Sequence, residues 1–286
     1  MSDRIAVVTD SVADIPSAIA KELDITVIPI HIHVGEKCYW DSDLGPDEFY
    51  ALLAHGQEVP KTAAPAPGVF AEVYTQLAKR AEHVLAIHLS RRLSALYNAA
   101  LLGAQMLSDV DIEVVDSESL TMGMGLLVIA AARAVRQGCS FPEVIALVRD
   151  LVPRIRVVAC VDNLYFLARS GRISWVISFL GTIFQIKPVI LIDRGDPILK
   201  GRARTMQRGL DYLMDIVRGF GPLQEASVIH TNAPEAAARL AEMLAALYPK
   251  ERIIMARADV GIGSHAGPGA VGVACVLASS ERVEPL

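Results

Sequence analysis

The chain lacks most of the marks that would place it among small secreted, metal-bound or membrane proteins. Its four cysteines, Cys38, Cys139, Cys160 and Cys275, lie far apart with no Cys-x-x-Cys pair. That spacing signals neither a zinc site nor a disulfide framework. Met1-Ser2-Asp3-Arg4 lacks the apolar core of a secretory signal. The longest apolar run, 173–192, is broken by Gln185, Lys187 and Pro188 and has Gly181 at its middle, which makes a poor membrane span. The expectation is a reduced, cytoplasmic, soluble protein that touches membranes only transiently. No Gly-x-x-x-x-Gly-Lys-Ser/Thr loop occurs, so the chain is not expected to be a P-loop nucleotide enzyme itself. No Gly-x-Ser-x-Gly elbow marks a hydrolase nucleophile. Asp41, Asp43, Asp47 and Glu48 miss the spacing of a calcium loop. A net charge of −5 argues against a nucleic-acid partner, which would call for a basic surface.

What the chain has is apolar mass. It is 286 residues long, 52% hydrophobic, with a mean hydropathy of +0.38. Sheets buried on both faces require such a composition, and so does a large apolar ligand cavity. The length suits two domains, 1–153 and 154–286, divided near Val152-Pro153. Charge is uneven: residues 151–220 hold eleven Arg and Lys against five Asp. An ordinary solvated face and a site for an anion or acidic partner both fit this excess.

Along the first half, strands alternate with helices, which means an α/β fold with a mostly parallel, Rossmann-like sheet. Strands are expected at 5–9, 26–32, 84–89 and 112–115, and helices at about 16–23, 69–80, 93–107 and 122–137. A further helix is capped by Ser140. The strands run into Thr9-Asp10-Ser11, Ser90 and Asp116-Ser117, where a polar head-group would sit beyond the carboxyl ends of a parallel sheet. The second half reads as a mixed or antiparallel sheet with helices. Its strands fall near 156–161, 187–192, 226–230, 252–257 and 270–278, with a turn at Arg194-Gly195-Asp196 and a very apolar helix at 175–184. Gly263-Ser264-His265-Ala266-Gly267-Pro268-Gly269-Ala270 reads as a shaped turn whose backbone N–H groups cradle an anion beside His265.

Two chemistries fit these residues, and a third is only imitated. Gly261-x-Gly263-x-x-Ala266 imitates a dinucleotide fingerprint, but Gly267-Pro268 falls where a helix should begin and the chain soon ends. A serine acyl hydrolase could draw on Ser94 or Ser264, His265 and Asp116. A carboxylate site opening on an apolar tunnel would use Thr62, Ser94, His265 and arginines as donors. The 122–132 and 173–192 runs would then line the tunnel, or else serve as plain core.

Taken in order, the runs Thr9-Asp10-Ser11-Val12-Ala13-Asp14-Ile15-Pro16, Lys61-Thr62 with Pro65 and Pro67, Leu93-Ser94 with Tyr97, Val115-Asp116-Ser117, Ser170-Gly171-Arg172, Lys187-Pro188, Arg202-Ala203-Arg204-Thr205 and Ser264-His265-Ala266-Gly267-Pro268-Gly269 resemble the DegV family of bacterial fatty-acid-binding proteins. The resemblance implies two α/β domains with one acyl chain buried between and within them. It implies that Thr62 and Ser94 hold the carboxylate, with His265, Arg172 and Arg204 near it. It further implies a carrier, not an enzyme, that presents the acid to a separate fatty acid kinase for lipid synthesis. ATP and metal belong to that partner, and no cofactor to this chain. Here Ala63, Ala66, Ala95 and Leu96 stand where the family usually has hydroxyls or glycine, and Arg91 replaces a serine. The expectation is a head-group gripped by charge more than by hydroxyls.

Overall fold

The structure, a computed structural model, describes residues 3–54, 60–171 and 186–279. Arg172 and the apolar helix expected over 175–184 lie outside the described residues.

The chain opens with β1 (Ile5–Asp10), α1 (Ser17–Glu22) and β2 (Ile25–Ile28). Here the structure corrects the single strand expected over 26–32. Pro29 has no N–H to continue a ladder, and the chain leaves the sheet there. It enters a separate antiparallel sheet of β3 (His31–Val34), β4 (Lys37–Trp40) and β5 (Lys61–Ala63), in the order β4-β3-β5. Helix α2 (Pro46–Ala54) lies between β4 and β5, and α3 (Pro67–Ala78) follows with Pro67 in its first turn. The parallel sheet resumes with β6 (His83–His88), α4 (Leu96–Gln105) and β7 (Asp111–Asp116), giving the order β2-β1-β6-β7. The strand order reverses between β1 and β6, the place where open parallel sheets form a ligand crevice.

Helix α5 (Thr121–Arg136) has 12 of its 16 residues buried. A helix apolar on nearly every side must be covered on every side. It packs on β1 and β6 and, across from them, on the second sheet. Helix α6 (Phe141–Leu151) begins with a capping box, the Glu143 carboxylate accepting from Ser140 N at 2.8 Å and Ser140 Oγ at 2.7 Å.

The second half contains β8 (Ile155–Cys160), α7 (Tyr165–Ser170), β9 (Lys187–Asp193), β10 (Asp196–Ala203), α8 (Met206–Gly219), β11 (Leu223–His230), α9 (Pro234–Leu244), β12 (Ile254–Arg257), α10 (Val260–Ala266) and β13 (Val271–Leu277). The sheet order is β10-β9-β8-β13-β11-β12, mixed because β11 and β12 run parallel and the remaining neighbours antiparallel. Sequence reading placed the turn at 194–196 but not β10 behind it. Arg194 (φ 50°) and Gly195 (φ 80°) supply the two left-handed residues that a tight hairpin needs. The hairpin tip meets the first half, where Arg92 Nη1 grips both oxygens of Asp196 at 2.9 and 2.7 Å.

One face of the mixed sheet shares its core with the parallel sheet: Val157, Ile190 and Ile229 join Val8, Leu85 and Leu127 in one apolar cluster. The opposite face is covered by α8 and α9 through Leu210, Leu213, Leu240 and Leu244.

Candidate functional site

A cavity of about 370 Å³ lies between the two halves, within the size range of small-molecule sites. Its first wall comes from the reversal point of the parallel sheet: Val12 beyond β1, and Leu89, Leu93 and Ser94 beyond β6. Thr62 of β5 and Thr121 at the start of α5 complete that wall. The opposite wall is the face of the mixed sheet, closed by Leu167 and Ser170 of α7 and by Ile262 and His265 of α10.

Strand register explains the shape of that second wall. Ala159 pairs with Ile190, Gly272 with Ala159, and Ile229 with Gly272. All four line the cavity, so one row crosses four strands as large, small, absent, large. A Cβ on Gly272 would stand 2.7 Å from the Val158 carbonyl oxygen and 3.0 Å from Ala159 Cβ. The row is therefore a trough with Ala159 and Gly272 as its floor. An isolated glycine within Val271-Gly272-Val273 was the available sequence signal, since glycine inside a strand marks a close approach.

Thr62 and His265, 203 residues apart, meet across the cavity with Oγ1 and Nε2 3.0 Å apart. Thr62 is fixed by β5, opposite Ile32 of β3. His265 occupies the last turn of α10, which corrects the loop expected over 263–270. Only from Gly267 (φ 70°) does the chain turn. Of the glycines expected to shape an anion cradle, Gly263 serves helix packing instead: a Cβ there would lie 2.7 Å from Tyr50 Oη and 2.8 Å from Phe49 Cε1 of α2. Ser94 also lines the cavity. Its Oγ accepts from Leu96 N at 3.3 Å, which leaves its own O–H to donate.

The arginines stand elsewhere. No Arg, Lys, Asp or Glu among the described residues lines the cavity. Arg91, expected as an added cation for the head-group, is 61% exposed at its side chain and pairs through Nε with Asp116 Oδ2 at 3.2 Å. Arg204 is exposed just beyond β10, off the cavity wall. The expectation that Arg91 faces the site is therefore corrected: hydroxyls and imidazole line the cavity there instead.

Of the strand-end residues expected around a head-group, Asp10, Ser90 and Ser117 are buried and bonded within the fold. Asp10 Oδ2 accepts from His88 Nδ1 at 2.9 Å and Leu89 N at 3.1 Å, while His88 Nε2 lies 3.3 Å from Tyr74 Oη. Ser90 Oγ accepts from Arg92 N at 3.3 Å, and Ser117 Oγ donates to the Ser119 carbonyl at 3.2 Å. Of the hydrolase residues, Ser94 and His265 line the same cavity, whereas Ser264 and Asp116 do not. Ser264 is 1% exposed and donates to the Val260 carbonyl at 2.7 Å, one turn back in its own helix. Asp116 is engaged with Arg91.

Sequence reading missed Thr121 and its partner Asp14. Thr121 Oγ1 donates to Asp14 Oδ2, and both residues are left-handed at φ 47° and 53°. Burial, before any other cause, pushes the Asp14 carboxyl well above the usual range. Among the described residues no helix is long and apolar enough to cross a membrane.

Residues 4–278 match the family model described as an uncharacterised protein of the DegV family. A DegV domain-containing protein of Caldanaerobacter subterraneus is 35% identical over 275 residues, 95% of this chain and 98% of that one. A DegV family protein of Thermus thermophilus, whose structure is described by its fatty acid binding, is similar at TM-score 0.89 and 31% identity, covering 96% of this chain and 100% of that one. DegV of Bacillus subtilis, described as a fatty acid binding protein, is similar at TM-score 0.84 and 30% identity, with coverage of 96% and 100%.

Proposed function

This chain belongs to the DegV family, and from that footing we propose that it binds one long-chain fatty acid in the cavity between its sheets. Thr62, Ser94 and His265 receive the carboxylate, and the acyl chain lies along the trough of Ala159 and Gly272. The observation that carries this reading is the wall itself. It is apolar throughout except for hydroxyls and imidazole, and it holds the 3.0 Å contact of Thr62 with His265.

The energetics suit such a ligand. Burying an acyl chain yields about 0.8 kcal/mol per methylene, on the order of 10 kcal/mol gross for a long one. Immobilisation removes much of this, yet enough remains that few head-group bonds suffice. A buried carboxylate still needs donors, and two hydroxyls with an imidazole N–H provide them.

The proposal extends to the carboxylate's fate. The chain acts as a carrier that presents the acid to a separate kinase, which brings ATP and metal and phosphorylates the carboxylate. Arg204, exposed and off the cavity wall, supports a role toward that partner.

Native mass spectrometry before and after organic extraction tests the binding. One fatty acid per chain is expected, restored by adding palmitate or oleate. An extracted protein with no affinity for either acid would refute it. With the cognate kinase, His265→Ala and Arg204→Ala are expected to lower acyl-phosphate formation more than lipid retention. Equal loss of both would refute the division between carrier and partner.

A further inference from the structure

The contact between Thr62 and His265 joins two halves of the chain, so something must fix the helix that carries His265. Helix α10 rests on close apolar contacts: a Cβ at Gly261 would lie 3.1 Å from Ile30 Cδ1 and 3.2 Å from Val12 Cγ2. Such contacts have no direction and let a short helix slide or tilt. A directional contact lies at its start. Asp259, the N-cap, accepts the Val260 N–H on its own Oδ1 at 2.7 Å, while its backbone N–H donates to Asp14 Oδ1 at 2.7 Å. Asp14 lies 245 residues earlier and is 6% exposed. Its other oxygen, Oδ2, accepts the Thr121 hydroxyl at the head of α5. One carboxyl group therefore ties together the turn after β1, the start of α5 and the start of α10.

Two of the three tied residues carry backbone strain. Asp14 and Thr121 both hold positive φ, and for a β-branched threonine that conformation is a true outlier, kept only where its surroundings over-determine it. Burial in the first place, then the nearby Asp259 and Asp10 carboxylates, raise the Asp14 carboxyl, against the Thr121 and Asp259 N–H bonds that lower it. In either protonation state one oxygen accepts from Asp259 N–H, and the neutral group can donate to the Thr121 hydroxyl.

We propose that Asp14 is the positioning residue of the binding site: by holding the Asp259 N–H it sets the tilt of α10 and so places His265 against Thr62. The lever is short and stiff. Six residues of helix span about 9 Å, so a tilt of about 10° at the Asp14 end displaces His265 by about 1.5 Å, enough to break a 3.0 Å contact. The link to ligand affinity rests on the fatty-acid reading above. The placement of His265 does not.

The test uses the full chain without lipid and reads the His265 imidazole in proton–nitrogen correlation spectra, assigned by its loss in His265→Ala. Asp14→Asn keeps an acceptor for Asp259 N–H and a group that can donate to the Thr121 oxygen, so the His265 signals are expected to stay in place. Asp14→Ala is expected to shift them and to weaken binding of a fluorescent long-chain fatty acid about tenfold. A second pair guards against misfolding at Asp14. Asp259 has φ −76°, which proline adopts, so Asp259→Pro removes the N–H and is expected to shift His265. Asp259→Ala keeps the N–H and is expected to leave it. Unmoved His265 signals in Asp14→Ala and Asp259→Pro would overturn the proposal, as would equal shifts in Asp259→Ala and Asp259→Pro. Shifted signals in a protein that binds no fatty acid would uphold the placement and refute the ligand.

Discussion

Replacing Ala159 by leucine raises the floor of the trough. The row Ile190–Ala159–Gly272–Ile229 crosses four neighbouring strands. Strands lie about 4.8 Å apart, so the two isoleucine backbones stand about 14 Å from each other with only a methyl and a bare Cα between them. Leucine adds three carbons at that point. Should they push three methylenes of an acyl chain out of apolar contact, the loss at about 0.8 kcal/mol each is about 2.4 kcal/mol, or about sixtyfold in Kd. Ala159 is half-buried and faces the cavity, so the larger side chain has space to occupy without moving the sheet. The assay is competition fluorescence on extracted protein with palmitate and octanoate, alongside a melting curve. Palmitate is expected to weaken about sixtyfold while octanoate, too short to fill the trough, keeps its affinity. Unchanged palmitate binding, or equal loss for both acids in a well-folded variant, would refute the path assigned to the tail.

Further outcomes follow from groups around the site. The Asp41 carboxyl is raised from 3.8 to about 6, first by burial, against bonds from the Ser11 hydroxyl and Ile30 N–H; its ionisation therefore costs nothing below pH 3.8 and the full amount above pH 6, about 3 kcal/mol at about 1.4 kcal/mol per pH unit. Asp41→Asn is thus expected to flatten the fall in stability between pH 4 and 7 in urea titrations, and a slope equal to that of the unaltered protein would contradict the assignment. Burial pushes the Cys160 and Cys275 thiols up to about 12, whereas Cys38 is exposed. A thiol reagent at pH 8 should modify Cys38 in the native protein and the other two only after unfolding; rapid native labelling of Cys160 would count against the buried placement.

The elements legible in the sequence were those whose signals are local. Ser140 with Pro142 announced α6, and the short apolar runs of β1 and β6 the parallel sheet. What escaped depended on partners far along the chain. β10 alternates Ile198 and Lys200 outward with Leu199 and Gly201, and its charges hid a strand that exists because β9 lies beside it. The glycines of 263–269 read as a turn, but Gly263 is required by α2, more than two hundred residues earlier. At the site, Thr62, Ser94 and His265 were named from residue type and motif order, and all three line one cavity, Thr62 and Ser94 on one wall and His265 on the other. Arg91 was named for its charge alone, and Asp116 takes that charge. Thr121 left no readable trace and Asp14 stood only as a member of the Thr9–Pro16 run, because a left-handed backbone in a residue other than glycine is a property of the folded surroundings.

Helix α5 leaves the two sheets no independent existence. Severing the polypeptide near Val152-Pro153, where its topology invites a cut, would strip the mixed sheet of its inner cover and leave the helix with a raw hydrocarbon flank. The halves must therefore ripen and melt as a single cooperative body, and cargo wedged at their seam would slow amide exchange in both alike.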